Sequence, residues 1–294
     1  KMANTFKTFL NSDIANVRTL LHEAIPITGT IVSGTYEDDG NIKTFAHGMF
    51  EAVYDYPYLS SSANHIFDIT AGYSANSPLS ASTNTQNAKK INIYSQHAQI
   101  LYGYDLTGSI QDFDRDGNTA AGGDKMTECF FLNFSRLLTK DEIKKGSFVL
   151  TVYTGSADLL ALTNGLTISD YGATTSYKVN SPAGEYGLLL TASGDESSNA
   201  VGHVYYQAGI AVLTASVFSN ATSGDGDTDA SEFCAFGGPG EGPAGNADGI
   251  VGVLTGSEID NFADGIRNRF ENLDFNNTTE LNSTIYFCRA NTQD

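Results

Sequence analysis

The sequence predicts an α+β fold in which a β-rich central module, built of antiparallel or mixed sheets, is flanked by amphipathic helices. Three observations lead there. Short β-prone runs between Gly, Ser and Asn turns fill the middle of the chain. Stretches near both ends carry apolar residues at helical spacing. Hydrophobic residues make up 40% of the 294, with 17 Phe and 15 Tyr, enough to bury a core and to exclude wholesale disorder.

At the N-terminal end, Phe6, Leu10, Ile14, Val17, Leu21 and Ala24 fall on one helical face, and Pro26 stops the pattern. Residues 28–36 read as a strand, 38–40 as a turn, and 45–54 as either helix or strand. A Tyr- and Ser-rich loop over 54–63 leads to a strand at 65–73 and a polar loop at 74–85. Ile91, Tyr94, Ala98 and Leu101 predict a helix over 87–102, with Gly103 as its C-terminal stop. An acidic, glycine-rich excursion (105–125) precedes a buried strand at 128–134.

Thr139-Lys-Asp-Glu142 has the form of a capping box, so a short helix ending at Gly146 is expected, then a strand over 148–153. Further strands are expected at 166–169, 186–191, 201–208 and 210–218. Residues 219–249 form a long acidic Gly-rich loop by composition. Thr255-Gly-Ser-Glu258 then caps an amphipathic helix over 257–273, with Ile259, Phe262, Ile266, Phe270 and Leu273 on one face, and 283–288 reads as a last strand. Two regions, 2–154 (α+β) and 155–294 (β-rich), are one division; a single domain is the other. Met2 is the expected natural start, and the chain is expected to continue past Asp294, which follows a strand without a closing turn.

Charge excludes one class of partner. The chain has 34 acidic against 16 basic residues, a net charge of −18, and no basic stripe to displace counterions from phosphates, so no nucleic-acid partner is expected. No apolar run approaches the ~20 residues of a membrane-spanning helix, and no secretory signal pattern opens the chain, so no membrane partner is expected either. Cys129, Cys234 and Cys288 show no zinc spacing and are expected to be buried thiols of a protein made in a reducing cytoplasm.

Candidate chemistry is sparse. Asp112-Phe-Asp114-Arg-Asp116-Gly117-Asn118 has the front half of a calcium loop, in which alternating carboxylates converge on a hard cation. The twelfth position is Gly123, where a bidentate Glu belongs, so an acidic surface turn and a weak structural Ca²⁺ site both remain readings of it. Asp225, Asp227, Asp229 and Glu232 form a second acidic cluster inside the long loop. The five histidines (His22, His47, His65, His97, His203) form no metal-ligand pair. Neither a nucleophile elbow nor a phosphate-cradling loop is found, and no cofactor and no catalytic residue are assigned. Tyr54, Tyr56 and Tyr58 crowd a polar, proline-containing loop, either as an intersubunit contact or as a local packing cluster.

Three phrases carry a resemblance: residues 11–31, beginning Asn11-Ser-Asp-Ile-Ala-Asn-Val-Arg; residues 47–68, beginning His47-Gly-Met-Phe-Glu-Ala-Val-Tyr; and residues 137–148, Leu137-Leu-Thr-Lys-Asp-Glu-Ile-Lys-Lys-Gly-Ser-Phe148. They resemble an uncharacterised family of virion structural proteins of T-even-like cyanophages and related marine myophages. The resemblance covers most of 2–218 and resumes near 284–294. It implies a non-enzymatic subunit of a contractile tail or baseplate, located in the virion after assembly in the host cytoplasm. The implied partners are other virion proteins and copies of itself. A receptor-binding or adhesin module on the particle, with 219–249 as its tip, is the alternative; a neck or capsid-decoration position is another, and a tail-associated glycan hydrolase is a third class.

Overall fold

The computed structural model describes residues 8–26, 40–81, 86–119, 123–154, 165–218, 254–255 and 270–288. In chain order the elements are β1 (Ile14–Pro26), β2 (Ile42–Lys43), β3 (Glu51–Tyr54), β4 (His65–Tyr73), the helix α1 (Asn87–Leu101), β5 (Phe113–Asp114), β6 (Lys125–Met126) and β7 (Glu128–Phe134). A helical turn α2 (Arg136–Thr139), β8 (Glu142–Ile143), β9 (Val149–Tyr153) and β10 (Gly165–Ser169) follow. The rest are a turn α3 (Ala173–Ser176), β11 (Tyr186–Leu190), a turn α4 (Glu196–Asn199), β12 (Ala200–Tyr205), β13 (Ile210–Thr214) and β14 (Phe270–Tyr286). The protein is α+β and dominated by antiparallel sheet.

Twelve strands form one sheet in the order β1-β14-β9-β10-β11-β12-β13-β7-β4-β3-β2, with β8 beside β14; β5 and β6 make a separate hairpin. The main sheet joins strands from either side of residue 154. It also curls. Six strands separate β14 from β4 in the sheet order, which would put them more than ~30 Å apart if the sheet were flat. Yet the Phe67 and Phe270 rings meet at 5.6 Å between centroids, and Phe134 meets Phe275 at 5.4 Å. The concave face is thus filled by one aromatic and aliphatic core that includes Phe67, Phe130, Phe134, Phe148, Leu150 and Phe275.

A second core lies on the other face, where α1 and the β5–β6 hairpin cover β7 and β11–β13. Along β7, Phe130 and Leu132 face the first core while Cys129 and Phe131 face the second, as strand alternation requires. Burial on both faces is why this strand reads as a continuous apolar run. The helix approaches β4 closely at Gly72, where a Cβ would sit 2.7 Å from the Lys90 carbonyl oxygen. Gly103 ends α1 with φ of 92°, its N–H donating to the Ala98 carbonyl at 2.8 Å.

Four expectations are corrected. Residues 14–26 are strand, not helix: β1 runs antiparallel to β14 through thirteen consecutive pairs from Ile14↔Tyr286 to Pro26↔Asp274. Of the apolar positions that suggested a helix, Ile14 and Ala24 fall on one strand face and Val17 and Leu21 on the other, and long-range pairing with β14 overrides the helical spacing. Phe270 and Leu273, placed on the last amphipathic helix, begin β14 for the same reason; the rest of that expected helix, the expected strand at 28–36 and the loop 219–249 lie outside the described residues. The capping-box helix is replaced by β8, because Glu142 and Ile143 pair with Thr278 and Asn277. Cys288, expected to be buried, is exposed, whereas Cys129 is buried; Cys234 lies outside the described residues.

Beyond β8, residues 279–286 of β14 have only β1 beside them, so the two strands leave the body as a ribbon. Its side chains are exposed on both faces, and among the described residues no strand covers the outer edge of β1.

Candidate functional site

The tyrosine loop joins β3 to β4 near the β2 end of the sheet. Its backbone is pinned: Tyr54 N–H donates to the Asn41 carbonyl at 2.8 Å and Tyr58 N–H to the Gly40 carbonyl at 2.9 Å. The Asp55 carboxylate accepts from the Asn64 backbone N–H at 2.6 Å and from its side-chain amide at 2.9 Å, closing the loop. Tyr54 packs locally, against His65 (5.5 Å between centroids) and Tyr58 (6.4 Å). Tyr56 and Tyr58 are exposed, with Leu59 beside them at 86% exposure. The three tyrosines therefore divide: one anchors the loop, and two present apolar rings on a fixed frame.

The acidic excursion is a hairpin whose carboxylates go to different partners. Asp112 accepts from Ser74 Oγ and, at 2.7 Å, from Asn76 Nδ2. Asp114 is fully buried and receives the Lys125 ammonium at 2.6 Å. Burial, followed by the neighbouring Asp116 carboxylate, pushes the Asp114 carboxyl up in spite of Lys125. Asp116 is held low by its bond to Asp114 and by the Asn118 N–H at 2.9 Å. Gly123 lies against Asp114, where a Cβ would come within 2.8 Å of its carboxylate, so a bidentate Glu has no room there. Among the described residues no group of three His, Cys, Asp or Glu side chains is placed to hold a metal ion. The acidic cluster at 225–232 lies outside the described residues.

A surface cleft beside this hairpin is lined by Asp116, Gly117, Asn118, Lys178, Asp195, Glu196 and Ser197. Its charged groups have structural work: Lys178 pairs with Glu196 at 2.8 Å, and Asp195 caps α4 by accepting from the Ser197 N–H at 3.0 Å.

Comparison with known proteins adds no relative. No family model, curated protein or solved structure matches this chain.

Sequence reasoning missed the buried polar groups. His203 sits fully buried in the second core, 5.0 Å from the Tyr186 ring and 5.7 Å from the Tyr102 ring. Burial pulls its pKa down to about 4, against backbone carbonyls of Asp114 and Arg115 that favour the protonated ring. Asp170 accepts from Gly146 N–H (2.7 Å), Phe148 N–H (3.0 Å) and Tyr206 Oη (2.9 Å), tying a turn to the sheet; burial lifts its carboxyl to about 6. Lys90 is buried on α1, and burial followed by Lys89 lowers its ammonium to about 8. The alternation of β12 could have placed His203 beside Tyr205 on one strand face; nothing local marks Asp170 or Lys90.

Proposed function

We propose that the chain is a non-enzymatic structural subunit of a tailed-phage virion, in the contractile tail or baseplate, working through interfaces with other virion proteins and with copies of itself. The observation that carries the assembly part is the ribbon of β1 and β14. A two-stranded ribbon is only marginally stable in water by itself, and this one keeps Val17, Leu21, Leu281 and Ile285 about half exposed. Surfaces of that kind are covered in use. The loop presenting Tyr56 and Tyr58 supports the same reading, since exposed tyrosine on a fixed frame is a low-entropy contact. The virion placement rests on the resemblance of residues 11–31, 47–68 and 137–148 to phage structural proteins.

Mass spectrometry of purified particles, with gold-labelled antibody to locate the chain, tests the reading. Label at the tail or baseplate is the expected result. Label confined to the capsid would remove the tail placement, and absence from the particle would remove the virion reading altogether.

A further inference from the structure

The two faces of the ribbon differ. Directly paired residues of β1 and β14 share a face, so the strand register sorts the side chains. On one face lie Asn16, Arg18, His22, Thr278, Glu280, Asn282 and Thr284, with Ile14, Leu20 and Tyr286 between them. These polar groups are satisfied among themselves: Arg18 pairs with Glu280, Asn282 Nδ2 donates to Glu280 at 2.8 Å, and Thr284 Oγ1 donates to Asn16 at 2.9 Å. The other face holds Ala15, Val17, Thr19 and Leu21 against Thr279, Leu281, Ser283 and Ile285, with no ionisable side chain. Val17 is 44% exposed, Leu21 52%, Leu281 48% and Ile285 45%. Toward the body the same face passes the exposed Glu23, paired with Asn277, and continues into Ile25 and Phe275, where the main core covers it. One sheet face is thus buried in its near half and bare in its far half.

We infer that this bare face packs against the same face of a second copy of the chain, the two ribbons lying antiparallel about a two-fold axis. Charge selects the occupant. The chain carries −18 overall, so copies repel one another over most of their surface. Over 14–22 and 278–286 the only opposite full charges are Arg18 and Glu280, which cancel on the far face. Two identical faces can then meet over 15–21 and 279–285 without burying a charge, with Glu23 at the rim. The antiparallel arrangement sets the acidic bodies at opposite ends of the paired ribbons, separated by roughly 30 Å of strand, several times the ~8 Å screening length at physiological salt. Apolar side chains and the intervening small residues give roughly 1,000 Å² buried between two copies, the lower bound of a specific interface. An interface of that size makes the pairing weak.

The inference rests on the assembly reading for its biological role, but it is tested apart from particles. Sedimentation velocity of the full chain from 1 to 200 µM is expected to show a monomer–dimer equilibrium. Val17→Glu with Leu281→Glu is expected to leave a monomer throughout, with the far-ultraviolet circular dichroism of the wild type. Asn16→Glu, on the opposite face, is expected to dimerise as the wild type does. A wild-type monomer at 200 µM, or a dimer that the double variant leaves intact, overturns the inference. Hydrogen exchange on the wild type gives the same decision without a variant: amides of 15–21 and 279–285 should gain protection as concentration rises, and concentration-independent exchange there overturns it. A monomer in solution would not touch the virion placement, and absence from particles would not touch the dimer.

Discussion

Replacing His203 with Asn tests whether the second core holds a neutral imidazole. The ring is completely buried among Tyr102, Phe113, Tyr186 and Tyr205, with Nδ1 3.3 Å from Tyr205 Oη. In the unfolded chain it takes a proton near pH 6.5; in the folded protein burial delays this to about pH 4. Between those values the unfolded state binds more protons, so the stability tied to His203 is fully present above pH 6.5 and is lost as pH falls through about 4. The difference is about 3 kcal/mol between pH 7.5 and pH 4, order of magnitude only. Urea unfolding at the two pH values measures it, followed by circular dichroism because the chain has no Trp. Asp114 and Asp170, both raised by burial, push stability the other way on acidification. The quantity to read is therefore wild type minus variant. That difference should shrink by about 3 kcal/mol from pH 7.5 to pH 4. Curves running parallel within about 0.5 kcal/mol would refute the buried neutral imidazole.

Other substitutions probe separate features. Gly72→Ala drives a methyl group into the α1 backbone at Lys90 and Tyr94, and should cost at least about 2 kcal/mol in thermal or urea unfolding. Asp170→Ala leaves the Gly146 and Phe148 N–H groups and the Tyr206 hydroxyl without their acceptor, a loss of about 3–5 kcal/mol by the same measurement. Millimolar Ca²⁺ should shift the melting temperature by less than about 2 °C, because Asp112, Asp114 and Asp116 serve different partners; calorimetry showing a clear upward shift would restore the calcium reading. Tyr56→Ala and Tyr58→Ala should change isolated-chain stability by no more than about 0.5 kcal/mol, while particles assembled with them should incorporate less of the protein by quantitative mass spectrometry.

Strands bounded by turns and buried on both faces were legible: 65–73, 128–134 and 186–190 appear where the alternation and apolar runs put them. So was α1, whose apolar positions Tyr94, Ala98 and Leu101 keep helical spacing up to the stop at Gly103. The N-terminal segment has the same spacing and misled because what decides its conformation is a partner strand remote in sequence, from Ile14↔Tyr286 to Pro26↔Asp274. Glu142 misled because a capping signature is a local preference, overridden once Ile143 could pair with Asn277. Of the three tyrosines singled out in the sequence, Tyr56 and Tyr58 are exposed, while Tyr54 packs against His65 and Tyr58. The ribbon face was invisible, since its pattern emerges only when β1 is laid beside β14 in register.

That register also controls timing. Ile14 leaves the ribosome 272 residues ahead of its partner Tyr286, a wait of roughly 15–50 s at ordinary synthesis rates. Until then β1 has no strand to lie against and the bare face does not exist. A fragment that stops short of residue 270 lacks β14 and cannot display the ribbon. Competence to associate through it is thereby withheld until synthesis has passed through β14, so a prematurely terminated product has no means of entering through that surface.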